Sequence, residues 1–157
     1  MTDVPRYVIR AATVEDVEFL ADVVLAATRA QGRLTPEMDQ PQWRMTFCEW
    51  TRAQVEGELS DNETSVIEVD GERIGRLRVV RTPIEIELAG IQLVPHAQRR
   101  GIGTTIIESL KSEATAASVL LELGVEKDNP DAHRLYAHLG FVEIGETDNE
   151  HRLRWSS

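Results

Sequence analysis

The chain has 157 residues, 41% hydrophobic and 28% charged, with a single cysteine, Cys48, which fits one compact domain running from about residue 7 to residue 157. Cys48 cannot form an internal disulfide, residues 1–6 carry no signal-peptide core, and no apolar run approaches the ~18 residues of a membrane span, so a cytoplasmic protein with no membrane partner is expected. With 17 Lys and Arg against 27 Asp and Glu, the net charge of −10 repels a polyphosphate backbone and argues against a nucleic-acid partner.

Tyr7–Arg10 reads as a short strand. Thr13 opens a helix as N-cap, with Asp16 completing an imperfect capping box. Val17, Leu20, Ala21, Val24 and Leu25 recur at helical spacing on one face, which runs out near Gly32. Residues 33–42 read as a loop. A second helix is expected from Trp43 to about Leu59. Its Trp43, Phe47 and Trp50, with Asp39 and Glu49 nearby, fit either core or dimer packing or an amine pocket.

From Ser65 the periodicity changes to that of strands. Val66–Val69 meets Asp70-Gly71, a two-residue hairpin signal. Arg73–Arg81 follows, with Leu77 and Val79 on one face and Arg76 and Arg78 on the other. Residues 73–100 hold six arginines against Glu85 and Glu87, a local charge of 6 − 2 = +4, which suits an anionic ligand. In the strand Ile84–Val94, apolar residues occupy even positions at Ile84, Ile86 and Leu88 but odd ones at Ile91 and Leu93. The parity flips across Ala89-Gly90, as one inserted residue of a β-bulge makes it do.

Pro95 ends that strand. Residues 98–104, Gln-Arg-Arg-Gly-Ile-Gly-Thr, lead into a helix with apolar positions Ile106, Ile107, Leu110, Ala114 and Ala117. Val119–Val125 is a buried-type strand. Asn129-Pro130 then starts a helix with Asn as N-cap and Pro at its first position; its apolar face is Ala132, Leu135, Tyr136 and Leu139. Phe141–Ile144 and Arg152–Trp155 close the chain. The order β-α-α-β-β-β-α-β-α-β-β predicts an α/β (α+β) fold: a mixed, mostly antiparallel central sheet with helices on both faces and a bulged fourth strand.

A strand followed by a glycine loop and a helix N-terminus gathers free N–H groups and the helix dipole where an anion binds. The loop is neither a Rossmann fingerprint, since the third glycine is replaced by Ile106, nor a P-loop, which needs a lysine. Other constellations are absent. His133 and His138 are five apart and do not share a helical face, and there is no HxxxH, HExxH or GxSxG, so no metal and no serine nucleophile are expected. Cys48 reads as a small buried hydrophobe.

Gln98, Gly101 and Gly103 match Q/R-x-x-G-x-G/A, and the chain here resembles the GNAT superfamily of acyl-CoA-dependent N-acetyltransferases, in particular its small single-domain bacterial members. The similarity takes in residues 89–95 before the loop, and Asn129-Pro130, residues 134–136 and residues 139–141 after it.

The resemblance implies direct transfer of acetyl from acetyl-CoA to the primary amine of a small molecule or peptide, without a metal. The backbone of Leu93 and Val94 would meet the acetyl and pantetheine arm, with one of their N–H groups on the thioester oxygen. Gln98, Arg99, Arg100, Gly101, Ile102, Gly103 and Thr104 would hold the pyrophosphate. Asn129 would bond the pantetheine, and Tyr136 would both contact the cofactor and protonate the leaving thiolate. Many relatives carry a carboxylate near position 90, where this chain has Gly90. The base then falls to Glu87 or, as the weaker choice, Glu85, or to water. A non-catalytic acyl-CoA sensor of the same fold is the alternative. The acidic balance favours a cationic or peptide amine as acceptor, and a homodimer stays open.

Overall fold

The structure, a computed structural model, describes residues 3–57 and 62–157. In chain order the elements are β1 (Val8–Ala11), α1 (Val17–Ala30), α2 (Pro41–Glu56), β2 (Asn62–Val69), β3 (Glu72–Arg81), β4 (Glu85–Leu93), α3 (Ile102–Ala117), β5 (Leu120–Glu126), α4 (Pro130–His138), β6 (Val142–Glu146) and β7 (Glu150–Trp155). The expected order holds throughout. The strands hydrogen-bond in the order β1-β2-β3-β4-β5-β7-β6, mixed and mostly antiparallel, with β4 and β5 parallel. The expected C-terminal end of α2, at Leu59, lies outside the described residues. Two compact units divide the chain, Met1–Arg78 with Gly90–Thr105 and Val79–Ala89 with Ile106–Ser157.

In the first unit β1 pairs antiparallel with β2, Ile9 opposite Ile67. Asp70 (φ 52°) and Gly71 (φ 80°) both adopt the left-handed conformation of a type I′ turn, the geometry that joins two twisted strands in two residues. Helix α1 buries Val17, Leu20, Ala21, Val23 and Ala27, whereas the expected Val24 and Leu25 are only half-buried. At 100° per residue Val23 and Val24 flank Leu20 on opposite sides, so an apolar Val-Val-Leu run does not fix the helix's rotation.

Asp16 ties the start of this unit together. It is 2% exposed and accepts from Arg10 Nη1 (2.7 Å) and Nη2 (2.9 Å), Thr13 N (2.9 Å) and Oγ1 (3.2 Å), and Arg73 Nη1 (3.2 Å). The Arg10 hydrogen bonds hold its carboxyl well below the usual carboxylate range, against the opposing effect of burial. A carboxyl that is more acidic folded than unfolded adds stability above its unfolded value of 3.8, and that contribution is lost as the pH falls below it. Asp16→Asn is therefore expected to cost about 2–3 kcal/mol at pH 7 in urea unfolding. The gap to the wild type should narrow between pH 4 and pH 2; a gap independent of pH would contradict the assignment.

In the second unit Leu121, Leu123 and Val125 of β5, Ile106, Ile107, Leu110 and Ala114 of α3, Ile86 and Leu88 of β4, and Leu153 form the core. Three expected core positions are exposed. Ile84, 74% exposed, belongs to the turn before β4 rather than to the strand. Ala117 is the last residue of α3, beyond the buried stripe. Leu135 of α4 is 43% exposed. The parallel ladder of β4 with β5 comprises Glu85–Leu88 and stops short of Ala89-Gly90, where the sequence parity flips.

Candidate active site

In the first unit, β4 ends in a backbone whose groups are already allotted. Val94 N donates to Ile74 O of β3 (2.9 Å). Successive N–H groups of a strand alternate sides, which turns the N–H of Leu93 away from β3. The Leu93 carbonyl accepts from Gln98 Nε2 (2.9 Å). Of the two donors the sequence nominated for a thioester oxygen, Val94 is thus occupied within the sheet, and Leu93 is the one turned outward. Gln98 acts through its side chain as the brace that folds the loop back on the strand end.

The loop then turns twice through left-handed backbone, at Arg99 (φ 61°) and Gly101 (φ 85°), before α3 begins at Ile102. Left-handed turn residues of this kind can direct neighbouring N–H groups toward one centre, as in anion-binding turns. A Cβ on Gly101 would lie 2.9 Å from Val4 Cγ2, so glycine is required there by both strain and contact. Gly103 differs: a Cβ would meet nothing nearer than Ile91 Cδ1 at 4.0 Å. No protein atom demands that glycine, and the empty space suits close approach of a ligand. The first turn of α3 carries no acidic residue to compete for its N–H groups and dipole. Arg99, Arg100 and Thr104 are exposed beside it, while the Ile102 side chain is buried in the core and offers only its backbone.

The other arginines of the basic stretch are engaged inside the protein. Arg73 pairs with Asp16, and Arg81 with Glu113 at 2.6 Å. Arg76, 6% exposed, donates from Nη1 to Gln92 Oε1 (2.9 Å) and lies 5.4 Å over the Phe47 ring. Arg78 lies 5.0 Å over Trp50 and bonds Asn62. Burial, reinforced by Arg78, pulls the Arg76 guanidinium down to about 10. The aromatic residues of α2, with Trp43 stacked on Phe47 at 5.2 Å, line a cavity of about 320 Å³ and cover these cations. A Cβ on Gly90 would fall 2.5 Å from Arg76 Nη1. Arg76 therefore fills the space beside Gly90. The sequence showed Arg76 only as one member of a basic run.

In the second unit Asn129 caps α4, its Oδ1 accepting from Ala132 N (3.2 Å), which leaves the amide NH2 to a ligand. Tyr136, half-buried, packs edge-on against Phe141 at 5.6 Å, and burial pushes its hydroxyl up to about 12. Glu87 is bound to Arg152 (3.0 Å). Glu85 is raised above the usual carboxylate range, chiefly by a shared hydrogen bond with the buried Glu122 and by desolvation. Glu122 also contacts Arg154 at 3.4 Å. The sequence named Glu85 and Glu87 but gave no sign of Glu122, Arg152 and Arg154 beside them, because that depends on the β4-β5-β7 pairing. Cys48 is half-buried rather than buried, and burial pushes its thiol up, so it is a protonated thiol and a poor nucleophile at neutral pH.

Residues 24–141 match the model of the Acetyltransferase (GNAT) family, and the chain belongs to that family. Among solved structures it is similar to the PaiA N-acetyltransferase of Thermoplasma acidophilum in complex with coenzyme A, with TM-score 0.79, 18% identity, and 97% of this chain and 99% of that one covered. It is also similar to an acetyltransferase from Thermus thermophilus (TM-score 0.78, 16% identity, 98% and 99% covered). A third likeness is to the spermidine/spermine N-acetyltransferase SpeG of Vibrio cholerae (TM-score 0.65, 18% identity, 95% and 92% covered). At such identities the structures show the shared fold, and the family supplies the general activity, acyl transfer from acyl-CoA to an amine with acetyl-CoA as cosubstrate. Among the described residues no helix is long and apolar enough to cross a membrane.

Proposed function

We propose that the chain, as one N-acetyltransferase domain over residues 7–157, acetylates a primary amine of a small molecule or peptide by direct attack. The observation that carries this reading is the segment Leu93–Thr104, with its outward strand N–H, its two left-handed residues and a Gly103 that no protein contact requires. Amides and arginines of residues 98–104 bind the pyrophosphate, and the Asn129 amide binds the pantetheine. The Leu93 N–H stabilises the oxygen as the amine nitrogen bonds to the thioester carbon. The carbon–sulfur bond breaks, and Tyr136 gives its proton to the departing sulfur. Glu87, Glu85 or water accepts the proton lost by the amine.

Glu85 gains weight as the base, because a hydrogen bond shared with Glu122 and desolvation raise its carboxyl, whereas Glu87 is bound to Arg152. The sensor reading keeps one supporting observation, a glycine at position 90 with the Arg76 guanidinium beside it and no carboxylate. The net charge of −10 goes with a small or peptide acceptor rather than a nucleic acid, and the lone cysteine goes with a cytoplasmic setting.

The test is coenzyme A thiol release from acetyl-CoA across polyamines, amino acids, aminoglycosides and peptide N-termini. Saturable release with one class is expected and names the acceptor. Acetyl-CoA binding with no release favours the sensor. Absence of binding overturns the phosphate-loop assignment.

A further inference from the structure

Three side chains from three elements of the second unit converge: His133 of α4, Glu143 of β6 and His151 of β7. Their ligand atoms all lie within 4.8 Å of one another. Glu143 Oε1 is 3.3 Å from His133 Nε2 and 3.0 Å from His151 Nδ1, and the two imidazoles meet edge-on with centroids 5.0 Å apart. They border a cavity of about 370 Å³ that Asn129, Pro130 and Arg134 also line.

One atom in this group is anomalous. His151 Nδ1 is buried and has no hydrogen-bond partner, although the Glu143 carboxylate lies 3.0 Å away, because the contact is out of hydrogen-bond alignment. A buried polar atom left this way costs free energy that native structures ordinarily avoid. A cation placed among the three donors gives that nitrogen a partner and neutralises the carboxylate. Tetrahedral zinc, with bonds of about 2.0–2.1 Å, sets neighbouring donors about 3.3 Å apart. The carboxylate–imidazole spacings already match. Glu146 Oε2, 3.9 Å from His151 Nδ1, stands just outside this set, where its partner is Lys127 at 3.2 Å.

We propose that His133 Nε2, Glu143 Oε1 and His151 Nδ1 bind one divalent transition-metal ion of the zinc class. Two imidazoles and one carboxylate select such an ion over magnesium or calcium, which prefer all-oxygen shells. The ion would pin α4, the helix capped by Asn129, to the β6–β7 hairpin. The spacing of histidines in the sequence could not show this site, since the three ligands lie on three elements.

Zinc chloride titrated calorimetrically into the untagged, chelator-stripped chain should give one ion per chain. His133→Ala and His151→Ala should each weaken binding at least about tenfold. His138→Ala, an exposed histidine on the same helix, should leave it unchanged. Zinc should raise the melting temperature of the wild type and not of the two variants, whose melts without zinc report their folding. X-ray absorption of the zinc-loaded wild type, which needs no variant, should show a nitrogen and oxygen shell with two imidazoles. No saturable binding, affinity unchanged in both histidine variants, or a shell without imidazole overturns the proposal.

Discussion

Tyr136→Phe is expected to cut turnover to below about a tenth of wild type while acetyl-CoA affinity stays within a factor of about three, the loss falling toward the hundredfold that a positioned proton donor commonly contributes. The phenylalanine keeps the edge-on contact with Phe141, so the fold should be unaffected. Burial sets how the tyrosine acts. With its hydroxyl pushed up to about 12, Tyr136 is protonated across the working range, but it is more than three units less acidic than an ordinary thiol at about 8.5. Complete transfer to a free thiolate would be uphill by roughly 4–5 kcal/mol. The phenol therefore donates a hydrogen bond as charge grows on sulfur, and the proton follows as the phenolate is refilled from the amine or water. The rate–pH profile should accordingly show no break from Tyr136 below about pH 11. Measured kcat, KM and acetyl-CoA affinity of the pair of proteins decide the matter: unchanged turnover removes Tyr136 from the mechanism.

Gly103→Val should weaken acetyl-CoA binding by about a hundredfold or more while leaving the protein as stable as before. The two halves of this expectation come from one observation, the space around Gly103, where an added Cβ meets only Ile91 Cδ1 at 4.0 Å. No protein contact opposes a Cβ there, and leaving glycine out of a helix gains up to about 1 kcal/mol with alanine. A phosphate drawn to the helix N-terminus needs close backbone approach, and the side chain would stand in its way. Gly103→Ala should show the same signs with a smaller affinity loss. Calorimetric titration with acetyl-CoA, beside urea unfolding without it, separates the effects. Destabilisation with unchanged affinity would mean that Gly103 serves packing rather than ligand approach.

Local pattern carried much of this protein. The 3.6-residue period of α1 and α3, the Asp70-Gly71 turn, the Asn129-Pro130 start of α4 and the Gln98–Gly103 loop were legible because each is decided by residues within a few positions of one another. Edges were read less well. Ile84 fits the alternation of β4 yet lies in the preceding turn, where Thr82 Oγ1 accepts from Ile84 N (3.3 Å) and Glu85 N (3.1 Å) and delays the strand by one residue.

Charge is where the sequence alone stopped. Periodicity determined the α/β order of the elements, and the resemblance of the Gln98–Gly103 spacing to the GNAT motif pointed to the family. Only the tertiary structure decided that Arg73, Arg76, Arg78 and Arg81 engage Asp16, Gln92, aromatic faces and Glu113. It likewise decided that Val94 is taken and Leu93 turned outward, and that two histidines and a glutamate from three elements meet. The physical reason is common to all three. Strand pairing and helix packing bring together residues tens of positions apart, and electrostatic and hydrogen-bond partners act over a few ångströms in space, whatever their separation along the chain.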